Sequence, residues 1–94
     1  MSFTVVHILR LLTILLVLTA SARLVATEHR ARQALDRALY LSELYNWTAA
    51  AADYAEAEHL FTAAGDQRNA FYARLGRIRA NVEADQNVAA TSVG

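Results

Sequence analysis

The 94-residue chain has no cysteine and no proline, and glycine occurs only three times. Without cysteine, neither a disulfide framework nor a thiolate metal site can stabilise it. The lack of proline and scarcity of glycine, set against 20 alanines, point to helix and away from sheet or disorder. An excess of one charge is also missing: nine Arg balance nine Asp plus Glu. No global field therefore draws the chain to nucleic acid or to an anionic membrane. Of its residues 55% are hydrophobic, but an apolar run within the first 22 inflates that figure. The other 72 residues must build the fold, and a chain of that length buries only about 60% of its unfolded surface. Two-domain architectures and most enzyme scaffolds are excluded.

The N-terminus reads as an address or an anchor. Residues 1–10 end in Arg10, the first fixed positive charge. Leu11 to Ala20 is an uncharged stretch, and Ala20-Ser21-Ala22 has the small-x-small pattern that a signal peptidase accepts. A basic start, an apolar centre and a small-residue exit describe a secretory signal cleaved after Ala22. The other reading is an uncleaved membrane anchor. Phe3 to Ala22 forms about 30 Å of helix, enough to cross a bilayer, with Arg10 as its costly residue. Either reading places residues 23–94 outside the cytoplasm, in a periplasmic or extracellular space or tethered to the membrane.

One spacing recurs three times in the remainder. Ala34, Ala38, Leu41 and Tyr45 follow at i, i+4, i+7 and i+11, then Ala50, Tyr54, Ala57 and Phe61, then Phe71, Leu75, Ile78 and Val82. Asn46 and Gly65-Asp66 divide the stripes, Gly65 as a helix C′ residue and Asp66 as an N-cap. Thr27 is the expected cap of the first helix. The pattern predicts an all-α fold with helices over 28–45, 47–64 and 67–84. The short connections require antiparallel neighbours, a helical hairpin plus a third helix. The third stripe is expected to cover the first pair while part of its apolar surface stays open. Residues 85–94 lose the stripe and read as a disordered tail. Gly76, inside the third helix, costs about 1 kcal/mol relative to Ala, which implies that a neighbour needs the space.

The segment Asn46-Trp47-x-x-Ala50-x-x-x-Tyr54-x-x-Ala57 resembles the tetratricopeptide repeat. Leu75-Gly76, with Tyr72 before it, is similar to the leucine-glycine pair opening the next repeat, and Ala38 is the corresponding small residue of the first. The resemblance covers residues 32–84, one and a half repeats of an α-solenoid. Tyr45 stands at a turn site where the family usually has glycine, Arg37 replaces an apolar residue, and the terminal proline is missing. The resemblance implies a non-enzymatic interaction module with Ala38, Trp47, Ala50, Tyr54, Ala57, Leu75 and Gly76 as packing residues. It also implies a peptide groove lined by the first helices of successive repeats. Arg32, Leu35, Leu39, Ser42, Ala73, Arg77 and Asn81 map there, with Arg32 and Arg77 as a carboxylate clamp. Because a helical repeat needs neighbours to bury its faces, the expected partner is a protein or peptide, a continuing repeat array or a second copy.

Chemistry-bearing patterns are few. Glu56-x-x-His59 matches a di-iron spacing but lacks its companion carboxylates, which only a dimer could supply, for instance through Glu43. Glu28-His29 reads as first-turn charge, and Asn46-Trp47-Thr48, a glycosylation sequon, reads as a helix opening. No nucleophile-base arrangement, phosphate loop or convergent acid pair is visible, so no catalytic, metal or cofactor site is expected. Two alternatives are a small membrane-anchored helical protein that oligomerises, and the sensory portion of a signalling protein.

Overall fold

The computed structural model describes the backbone of residues 2–93 and the side-chain surroundings of residues 2–88. These residues form three helices: α1 (Ser2–Glu43), α2 (Trp47–Ala63) and α3 (Gln67–Val93). The all-α expectation holds. The helix limits are corrected at two places.

First, the helix expected over 28–45 is the C-terminal half of a single 42-residue helix. From Ser2 to Glu43 the chain carries no glycine or proline, so nothing interrupts propagation once the apolar segment is helical. Thr27 is consequently not a cap. It lies inside the helix, where its hydroxyl donates to the Arg23 carbonyl at 2.9 Å. Second, α3 passes the expected limit at 84 and runs to Val93. Residues 85–93 are thus helical rather than a disordered tail, because Asp85 to Val93 contains no breaker and two of its residues are alanine. Gly94 lies outside the described residues.

The two turns share one construction. At the first, Tyr45 N donates to Ser42 O at 3.0 Å and Asn46 N to Leu41 O at 2.9 Å. At the second, Gly65 N donates to Thr62 O at 3.0 Å and Asp66 N to Phe61 O at 2.9 Å. Both are Schellman closures with a left-handed residue at C′. Gly65, at φ +78°, adopts that conformation without a Cβ penalty, whereas Tyr45 does so at φ +59°. The spacing assigns Tyr45 to the first apolar stripe; the structure places it in the turn, with three-quarters of its surface exposed. Each turn hands directly to an N-cap. Asn46 Oδ1 accepts from Ala49 N at 3.4 Å, and Asp66 Oδ1 accepts from Asn69 N at 3.1 Å.

Helix α2 packs against both neighbours, and α1 and α3 scarcely touch each other. The buried core contains much alanine: Ala31, Ala34 and Ala38 of α1, Ala50 and Ala57 of α2, Ala70, Ala73 and Ala80 of α3. Such faces let helix axes approach closely, and Trp47, Tyr54, Leu60 and Phe61 supply the larger volumes. Tyr54 holds the three helices together. Its hydroxyl lies 3.2 Å from Ser42 Oγ on α1. Its ring occupies the place of a side chain at Gly76 on α3: a Cβ there would lie 2.6 Å from Cδ1 and 2.7 Å from Cζ, and closer still to Cε1. The space that Gly76 was expected to leave for a neighbour is filled by that ring.

The whole is a rod of 82 × 17 × 17 Å. A 27-residue helix is about 40 Å long, so a width of 17 Å keeps α3 within about 25° of the rod axis.

Candidate functional site

The expected coverage of α1 and α2 by the third apolar stripe is corrected by the orientation of α3. The helix turns Ala70, Ala73, Gly76 and Ala80 towards α2. Phe71, Leu75, Ile78 and Val82 lie on the opposite face and are 57%, 51%, 47% and 49% exposed. Small residues win the inner position because Tyr54 already fills the space between α2 and α3, leaving room for alanine and glycine but not for four bulky side chains. A continuous apolar stripe with no cover from the described residues remains.

One edge of this stripe falls into a groove between α1 and α3. Near the Tyr45 turn the groove is a cleft of about 570 Å³, bounded by Leu39 and Ser42 of α1, by Tyr45 and Trp47, and by Tyr72, Leu75 and Arg79 of α3. It continues towards the other turn past Leu39, Asp36 and Arg32 on one wall and Phe71, Tyr72 and Arg68 on the other. The Arg79 guanidinium stands 5.4 Å from the Trp47 ring centre, and that of Arg32 stands 5.9 Å from the Phe61 ring centre.

Of the mapped groove residues, Leu39 and Ser42 line this cleft and Arg32 stands at its far end. Leu35 and Ala73 are buried in the packing. Asn81 is exposed on the side of α3 opposite Tyr72, by the 100° advance per residue. Arg77 turns towards α2, where its Nε donates to Glu58 Oε1 at 3.0 Å. A carboxylate clamp of Arg32 with Arg77 is therefore corrected: Arg77 is already engaged by the chain's own carboxylate. Arg68, Tyr72, Leu75 and Arg79 take the groove positions instead, and they share the i, i+4, i+7, i+11 spacing that marks the other stripes.

Glu58 accepts from both Arg74, at 2.9 Å, and Arg77, and these two hydrogen bonds hold its carboxyl below the ordinary glutamate range. The amide and backbone N–H of Asn69 do the same for Asp66. On the outer side of the hairpin Arg37 pairs with Glu56 at 3.3 Å and Asp53 at 3.6 Å. Glu56 is thus tied to an arginine, and His59 beside it is exposed. Among the described residues no cluster of three or more His, Cys, Asp or Glu groups could hold a metal ion.

The N-terminal half of α1 is a separate feature. Every residue from Ser2 to Ala22 is exposed, and α1 is long and apolar enough to cross a membrane, with mean hydropathy 2.2 over its most apolar window. Two of its threonine hydroxyls bond back to the helix: Thr13 donates to Leu9 O and Thr19 to Leu15 O, each at 2.8 Å. Such back-bonding suits a helix without water around it.

Compared with protein-family models, curated proteins and solved structures, the chain finds no match.

Proposed function

We propose that this chain is a tetratricopeptide-like docking module, carried out of the cytoplasm by its N-terminal helix, that acts by protein–protein contact. The observation that carries the proposal is the half-exposed stripe of Phe71, Leu75, Ile78 and Val82 on the face of α3 turned away from α2. A soluble surface seldom keeps four bulky apolar groups in one line unless something covers them. In a stacked helical repeat this face is where the next helix would pack. The Trp47–Ala50–Tyr54–Ala57 packing and the Tyr54 ring at Gly76 support the likeness to that family. The mechanism is presentation: a rigid alanine-packed bundle holds the stripe and its adjoining groove for a partner segment.

A photo-crosslinking amino acid at position 78 of the full chain, in cells, tests this. A discrete adduct is expected from position 78 and none from position 59, which is also exposed. Equal labelling at both, or none, would reject docking at this face.

The address of the bundle follows from residues 2–22. Ala20-Ser21-Ala22 supports release by cleavage, and the unbroken helix across that site supports a retained anchor, since a peptidase needs extended backbone. Burial in α1 begins at Ala31, so the bundle keeps its core in either form. N-terminal analysis of the exported protein separates the two: a start at Arg23 means release, and an intact terminus in the membrane fraction means anchoring.

A further inference from the structure

We infer that the open face of α3 receives an amphipathic helix whose apolar stripe is bordered by carboxylates. This rests on the docking reading above and names the chemistry of its partner.

At 100° per residue, Phe71, Leu75, Ile78 and Val82 centre on one line. Arg68 and Arg79 border it on the groove side and Arg74 on the other, all three exposed. Arg74 gives its Nε to Glu58 while its side chain stays 57% exposed. The carboxylates stand off these two borders: Glu58 is on α2, Asp66 precedes α3, Glu83 and Asp85 come only after Val82, and Asp36 and Glu43 lie across the groove on α1. A helix laid on this stripe therefore meets arginine on both borders, and the matching border is Glu or Asp.

The same geometry rejects a second copy in the anchored form. There α1 leaves the bilayer as one unbroken helix, and α3 runs the same way close to the rod axis. Two copies in one membrane can bring their α3 helices together only in parallel. Parallel pairing on this stripe sets Arg74 of each copy against Arg79 of the other, as at the g and e positions of a coiled coil. That repulsion occurs twice per dimer, relieved only by the Glu58 that each Arg74 already holds and shares with Arg77. The membrane is rejected on the same ground, because a helix standing nearly upright cannot lay its stripe on the bilayer that holds it.

The test uses the full chain in nanodiscs of zwitterionic lipid and two synthetic helical peptides. They share a leucine stripe at i, i+3, i+4 and i+7 and differ only in their borders, Glu in one and Lys in the other. Three rim ion pairs, each a factor of roughly two, predict that the Glu peptide binds about tenfold more tightly. The ratio should narrow as salt is raised, and Ile78→Gln should weaken the Glu peptide about tenfold. If the two peptides bind equally, or the Lys peptide better, and Ile78→Gln weakens both, docking at this face stands and the acidic partner is wrong. If Ile78→Gln changes neither, or neither peptide binds, both proposals fail. An Ile78→Cys variant completes the test, since the chain has no other thiol. Its spontaneous disulfide between copies would put a second copy on the face. A blue shift of an environment-sensitive label there in anionic discs, before peptide is added, would put lipid on it. Either result overturns the inference.

Discussion

Gly76→Ala offers the sharpest check on how α2 and α3 fit together. A methyl group at this position would stand within 2.6 Å of Tyr54 Cδ1, with Cε1 nearer still. The ring cannot simply turn aside, because it is buried and its hydroxyl bonds to Ser42 at 3.2 Å. Overpacking of this kind costs about 1–3 kcal/mol. Replacing a mid-helix glycine by alanine returns about 1 kcal/mol through helix propensity. The balance is a net loss of about 1 kcal/mol and at most about 2, or roughly 4–16 °C in Tm for a bundle of this size. Trp47, the single tryptophan, is buried at the α2 start, so its fluorescence in urea follows the bundle and ignores the apolar half of α1. The same substitution in a Tyr54→Leu background should change sign and stabilise by about 1 kcal/mol, since only propensity is left. Stabilisation by Gly76→Ala in the native background, or an equal effect in both, would refute the close fit.

Other perturbations separate the inner and outer faces. Phe61→Ala, at a side chain 1% exposed, should cost about 3–5 kcal/mol, whereas Ile78→Gln, at 47% exposure, should leave urea stability within about 1 kcal/mol. Asp66→Ala removes the α3 cap and should lower stability by about 1 kcal/mol, with Asp66→Asn retaining most of it. Glu58 titrates below its ordinary range in the folded protein, so its contribution is complete above the unfolded value and is lost as pH falls through the depressed folded one. Acid titration of Trp47 fluorescence should therefore show the α2–α3 contact weakening below about pH 4, and Glu58→Gln should flatten that dependence.

The sequence exposes α2 almost completely. Its stripe mixes alanine with aromatic residues at one spacing, and Ala50, Tyr54, Ala57 and Phe61 are all buried. Gly76 is legible for a related reason: a glycine inside a helix is costly enough to need a neighbour. The orientation of α3 is less legible. Periodicity locates Phe71, Leu75, Ile78 and Val82 on one face, but not whether that face meets the chain's own helices. Ala70, Ala73 and Ala80 attract little notice on hydropathy, yet Tyr54 decides for them. The cap at Thr27 misleads because a hydroxyl can equally bond back to the carbonyl four residues earlier. Arg77 misleads because its partner Glu58 lies 19 positions away, a distance that no local pattern spans.

The unbroken α1 also fixes the compass bearing of the bundle. No swivel separates the apolar half from the residues that pack on α2, so each residue added or removed near Ala22 would turn the stripe by about 100° and shift it by about 1.5 Å along the axis. For an anchored chain, one extra alanine points the stripe at a different neighbour, and seven extra residues nearly restore the azimuth while raising it about 10 Å. Partner choice at a crowded bilayer would then be written as a phase angle in the helix, as much as in the side chains that make contact.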